Sequence, residues 1–133
     1  MEFRQIRILG GLMFPQHIRK GRRPQESAEL IRQQVITGAC IFMRRELAEQ
    51  LGGFDEVYAI GDFEDSDLCL RLRQLGLTCG VDHSVRLYHL ERKSQLDPGQ
   101  RWRRNLTLCN AWVHHNRWFS KEERTQIMLQ ELG

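Results

Sequence analysis

The chain has 133 residues, a mass of 15.7 kDa, 41% hydrophobic and 28% charged residues, and a net charge of +3. That is one domain's length, apolar enough to bury a core without metal or disulfide staples and too apolar for a disordered chain. No apolar run reaches the roughly 18 residues of a membrane span, and no signal-peptide pattern opens the chain, so a soluble, cytoplasmic protein is expected, with at most peripheral contact at the inner face of the membrane.

The charge is unevenly placed. Residues 1–34 carry 7 basic and 3 acidic groups, residues 44–75 carry 4 and 8, and residues 99–133 carry 6 and 3. An acidic centre with basic flanks suits a site that handles an anionic substrate with a metal or a general base, although solvated helix faces give the same count. The short basic clusters, Arg19 to Arg23 and Arg101 to Arg104, beside an acidic centre argue against a nucleic-acid binder.

Residues 3–14 are apolar around a Gly-Gly break and read as a strand followed by a turn. Residues 15–27 hold two prolines and several basic groups and read as an exposed loop. Residues 35–43, uncharged and rich in β-branched side chains, read as a buried strand, with Gly38 at a close backbone approach. Arg44 to Leu51 reads as a short helix ended by Gly52, and residues 53–63 as a loop. From Glu64 the spacing of Leu68, Leu72 and Leu75 predicts a helix, N-capped by Asp65 or Ser66 and closed by Gly76. Short strands follow at 77–81 and 84–89 around a turn at Asp82-His83. Trp102, Leu106, Cys109 and Val113 form the apolar stripe of a helix over about 100–116, and a second helix starts after Ser120. The four cysteines, Cys40, Cys69, Cys79 and Cys109, have no metal-site spacing and sit among apolar neighbours, so buried, reduced thiols are expected.

The densest chemistry is the run from Gly61 to Asp67. Carboxylates at a loop-to-helix junction either cap the helix or project into a cleft as a general base. Glu64 and Asp65 stand at the mouth of the junction and are the catalytic candidates, while Asp67, inside the helix, reads as structural. An EF-hand is excluded, because the twelfth position from Asp62 is Arg73. Asp65-Ser66-Asp67 is formally D-x-D, but successive carboxylates entering a helix point in different directions. His89 ends a strand candidate, where either a structural histidine or a metal ligand stands. His114-His115 reads as surface polarity, and His17 and His83 fall in a loop and a turn.

The run 35–45 (VITGACIFMRR), then Gly52-Gly53-Phe54-Asp55-Glu56, then 64–72 (EDSDLCLRL), then a Gly-ended helix and a strand finishing in Tyr88-His89, resembles family 2 glycosyltransferases of the GT-A fold. The resemblance covers about residues 35–118. It implies an α/β fold with a short mixed sheet packed by helices: a partial core over 1–98 and C-terminal amphipathic helices over 99–133. It implies inverting transfer of a sugar from a nucleotide-sugar donor to the hydroxyl of a glycan or lipid-linked acceptor. Asp65 would be the general base, with Glu64 placing the acceptor or Asp65. Thr37, Gly38 and Ala39 would line the cleft, and His89 would join the shell of a Mg²⁺ or Mn²⁺ ion. Residues 1–34 show no counterpart of that family's opening βαβ unit or metal-binding D-x-D. The chain is therefore expected to be the acceptor-side portion, without tight metal binding and inactive alone. The alternative is a non-catalytic module that keeps this half-fold and self-associates into a homo-oligomer.

Overall fold

The computed structural model describes residues 1–6, 11–18, 30–88 and 101–119. It is a mixed α/β arrangement of two small antiparallel sheets and three helices. The expected short mixed sheet is thus replaced, among the described residues, by two separate antiparallel pairs, one local (β1–β2) and one between distant segments (β3–β4).

Strands β1 (Glu2–Ile6) and β2 (Leu12–Gln16) pair antiparallel, from Glu2 opposite Gln16 to Ile6 opposite Leu12. The apolar run around the Gly-Gly break therefore makes two strands. Gly11, at φ +82°, donates its N–H to the Ile6 carbonyl at 3.1 Å and brings the chain back. Pro15 is tolerated because both strands of a two-stranded sheet are edges. Strands β3 (Leu30–Gln33) and β4 (Cys79–Asp82) form the second pair, Leu30 opposite Asp82 and Gln33 opposite Cys79.

The stretch 35–43 is not a strand. Val35 is buried, but Ala39 and Cys40 are exposed and Phe42 is 99% exposed. The reason lies in where the backbone donors go. The Ile36 N–H points at Cys69 Sγ (3.4 Å) and the Gly38 N–H at Asp65 Oδ2 (2.8 Å), so side chains of the facing helix take donors that a ladder would need.

Helix α1 (Arg45–Leu51) ends where expected. Gly52 adopts φ +73°, and the Gly52 and Gly53 N–H groups bond Glu49 and Ala48 carbonyls, both at 3.1 Å. Helix α2 (Glu64–Gln74) is closed in the same way, with Gly76 and Leu77 bonding Arg73 and Leu72. Its N-cap is Phe63, in a left-handed conformation and without a side-chain cap bond, instead of Asp65 or Ser66. Leu68, Cys69, Leu70 and Leu72 are buried, whereas Leu75 is 46% exposed beyond the core.

Helix α3 (Arg101–Trp118) forms over the expected span but turns a different face inward. Trp102 and Cys109 are exposed, while Asn110, Ala111, His114 and Trp118 are buried. His114-His115 is therefore only half superficial: His114 is fully buried. The main core joins Val35, Cys69, Leu70, Leu72, Cys79, Trp118 and Phe119, with Leu47 and Leu51 of α1 packed on its margin. A second cluster, Tyr58, Phe63 and Ala111, packs against Leu12 and Phe14 of the hairpin. All four cysteines are free thiols, with Cys69 and Cys79 buried and Cys40 and Cys109 exposed. Residues 85–88 form no strand, and His89, much of the 15–27 loop and the helix after Ser120 lie outside the described residues.

Candidate functional site

Asp67 is where the core meets the site. It is fully buried, and its Oδ1 accepts the Tyr58 hydroxyl (3.1 Å) and Trp118 Nε1 (2.7 Å). Its Oδ2 accepts Arg71 Nε at 2.8 Å, and Arg117 Nη1 approaches Oδ1 at 3.2 Å. A charge so deep in the protein persists because every side of it meets a donor. Arg71 reaches on to the carbonyls of Leu51 (2.6 Å) and Gly53 (2.8 Å), tying the end of α1 to α2. The structural reading of Asp67 is correct, and Arg71, one turn further along α2, belongs to the same knot.

Asp67 orients the first turn of α2, and Glu64 and Asp65 stand at its open end. Asp65 Oδ2 accepts the Gly38 N–H at 2.8 Å, and Oδ1 accepts the Ser66 N–H at 2.7 Å. Each oxygen keeps a second lone pair, so Asp65 is oriented but still able to accept a proton. The segment 37–39 is thus brought against Asp65. A Cβ at Gly38 would sit 3.2 Å from Asp65 Cβ, so the glycine answers a real close approach. Thr37 Oγ1 accepts the Ala39 N–H at 3.4 Å and shapes the local turn.

Glu64 is half-buried, and one carboxylate oxygen, Oε2, is buried with no hydrogen-bond partner among the described residues. Burial pushes its pKa above the ordinary glutamate value; a backbone hydrogen bond opposes it, and the neighbouring Asp65 and Asp62 charges add smaller upward pushes. A carboxyl of this kind holds or accepts a proton more readily than a solvated one.

The loop that delivers this pair is strained. Ile60, Asp62 and Phe63 have φ of 60°, 69° and 78°, and none is glycine. Such conformations cost about 1–3 kcal/mol each and cluster at functional sites, β-branched Ile60 being the most unusual of the three. Helix α3 meets the loop with polar side chains. Asn110 Nδ2 donates toward the carbonyls of Ala59 (3.1 Å), Gly61 (2.8 Å) and Asp62 (3.3 Å), and Thr107 Oγ1 donates to Asp62 Oδ2 at 2.7 Å. Beside them, His114 Nε2 pairs with Ser66 Oγ at 3.1 Å. The His114 ring lies among Phe3, Tyr58, Phe63 and Phe119, and burial lowers its pKa to about 4. The apolar stripe leaves Asn110 and Thr107 unmarked, and His114, read from the sequence as surface polarity, is buried. Their signal was a polar face at positions 107, 110 and 114, one step around the helix.

No group of three or more His, Cys, Asp or Glu side chains that could hold an ion is found among the described residues. Asp65 turns to Gly38 while Asp67 is consumed in the core, so Asp65-Ser66-Asp67 does not chelate. His89 lies outside the described residues. No described helix is long and apolar enough to cross a membrane.

No protein-family model matches the chain, and no solved structure matches it. Two proteins are similar over part of it. The O-antigen biosynthesis protein RfbC of Myxococcus xanthus is 42% identical over 60 residues, which is 45% of this chain and 5% of that protein. The uncharacterized protein y4gI of Sinorhizobium fredii (strain NBRC 101917 / NGR234) is 35% identical over 60 residues, 45% of this chain and 7% of that protein. The similarity thus covers a small part of two much longer proteins, one of them named for O-antigen biosynthesis.

Proposed function

We propose that these residues form the acceptor side of an inverting glycosyltransferase site of the family 2, GT-A type. The observation that carries this reading is the paired carboxylates at the mouth of α2. Asp65 is aimed by the Gly38 N–H, and Glu64 beside it keeps a buried oxygen with no partner among the described residues. The partial similarity to a protein of O-antigen biosynthesis supports it.

In this reading the acceptor hydroxyl, of a glycan or a lipid-linked glycan, lies against Asp65. As its oxygen attacks the anomeric carbon of a nucleotide-sugar, Asp65 takes the proton, and the bond from that carbon to the nucleoside diphosphate breaks with inversion. Glu64 accepts a second hydrogen bond from the acceptor and fixes its orientation. Mg²⁺ or Mn²⁺ would neutralise the departing diphosphate. The described residues supply no shell for it.

The test measures nucleoside diphosphate release from a panel of nucleotide-sugars, with Mg²⁺ or Mn²⁺ and glycan or lipid-linked acceptors, by the natural polypeptide that carries these residues. Asp65→Asn should lower turnover by about 10²–10⁴-fold with the circular dichroism unchanged. Equal turnover in wild type and variant sinks the base assignment, and no transfer from any donor sinks the reaction.

A second reading, a non-catalytic module that self-associates, is favoured by one feature. Leu30, Phe42, Val85 and Leu87 are exposed around a groove of about 940 Å³. Apolar patches of this kind mark interaction surfaces. A clean monomer in sedimentation at high concentration removes that reading.

A further inference from the structure

We propose that Asn110 and Thr107 of α3 are positioning residues for the Glu64–Asp65 pair, holding the 59–63 loop in the shape that presents both carboxylates. The inference rests on the reading of that pair as the reacting groups.

Ile60, Asp62 and Phe63 are left-handed without being glycine, around Gly61 at φ +95°; they do not hold themselves in place, and something outside the loop must over-determine them. Helix α3 does so through a buried amide. Asn110 is 2% exposed, and its two N–H groups face three loop carbonyls separated from it by 48 to 51 residues in sequence. A buried primary amide is costly unless satisfied, and carbonyls of a strained loop are costly unless paired, so each holds the other. Carbonyls on three sides also demand the NH₂ end of the amide, which neither aspartate nor an apolar residue supplies. Thr107 lies one helical turn earlier on the same face. Its hydroxyl reaches Asp62 Oδ2 at 2.7 Å, closer than the carbonyl of Arg103 in its own helix at 3.2 Å. That bond fixes a left-handed residue two positions before Glu64. With the loop held at both places, Glu64 Oε2 is shut away from water without a partner among the described residues.

The consequence can be read without any sugar chemistry. Protein labelled with ¹³C-glutamate is titrated by NMR, with the Glu64 carboxyl assigned through Glu64→Gln. In wild type Glu64 should titrate above the ordinary glutamate value, because burial is the main cause of its shift. In Asn110→Ala the loop relaxes, water reaches the carboxyl, and the titration should move down toward the ordinary value. Thr107→Val should move it in the same direction by less, and carries the test alone if Asn110→Ala does not fold. In an active preparation both variants should lower kcat more than they change KM. A Glu64 titration identical to wild type in every folded variant overturns the positioning role. Failure of wild type to transfer sugar refutes the reaction proposed above, and the titration still decides whether α3 sets the loop.

Discussion

Asp67→Ala should be among the most damaging single changes in this protein. It would remove the acceptor of Tyr58 and Trp118 and the charge partner of Arg71, all held by a fully buried carboxylate. Leaving a buried neutral donor unpaired costs about 1–3 kcal/mol, and breaking a buried ion pair from one side about 3–5 kcal/mol. These losses overlap at one side chain and do not add, and Arg71 keeps the Leu51 and Gly53 carbonyls, so a total of about 4 kcal/mol is expected. With a urea m-value of about 2 kcal/mol/M, the unfolding midpoint should fall by about 2 M. Asp67→Asn retains an oxygen for Tyr58 and Trp118 but loses the charge-assisted bond to Arg71, and should cost about 2 kcal/mol. Asp55→Ala provides the contrast. Asp55 meets Arg117 at 2.7 Å, but their side chains are 33% and 39% exposed, so that pair should be worth less than about 1 kcal/mol. The measurement is urea unfolding of the three variants at pH 7. A loss below about 1 kcal/mol for Asp67→Ala, or equal losses for Asp67→Ala and Asp55→Ala, would refute the claim that the buried knot holds α2 to α1, the 53–63 loop and α3.

Two further predictions concern acid and packing. His114 is buried neutral with its pKa lowered from 6.5 to about 4, with Asp67 opposing burial and Arg117 and His115 assisting it. The unfolded chain therefore binds the extra proton first, and stability should fall by roughly 3 kcal/mol as pH drops from 6.5 to 4, then level off. His114→Phe should remove that slope, and identical pH profiles of urea stability in wild type and variant would show that His114 does not titrate this way. Gly38→Ala places a Cβ 3.2 Å from Asp65 Cβ and should cost about 1 kcal/mol while stretching the bond that aims Asp65. A variant that keeps both full stability and any Asp65-dependent turnover would show that the close approach at Gly38 does not constrain Asp65.

The legible parts of this fold were the locally encoded ones. Gly52 and Gly76 announced the ends of α1 and α2, because a left-handed closing residue is a property of a few neighbouring residues. The spacing of Leu68 and Leu72 announced α2, and its acidic first turn placed Glu64 and Asp65 at a mouth. Gly38 marked a close approach, although not the partner. The expectations that failed are those that a distant partner decides. Residues 35–43 have strand composition, yet their donors are taken by Cys69 and Asp65 of another element, which no window along the chain reveals. The stripe of Trp102 and Cys109 identified a helix correctly and its inner face wrongly. A helix packed on a polar loop buries Asn110 and His114 for the hydrogen bonds they make there.

The sequence by itself thus determined the three helices of the described residues, the turn at Gly11, the acidic junction and the order of motifs from Thr37 to Tyr88. All of these depend on backbone preferences and periodicities within a dozen residues. Only the tertiary structure decided that the strands form two separate pairs, that Asp67 is the hub of the core, and that α3 holds a strained loop behind Glu64 and Asp65. Each of these sets groups from distant parts of the chain against one another. Their energy comes from pairing polar atoms out of water, which depends on who the neighbour is and leaves no period in the sequence.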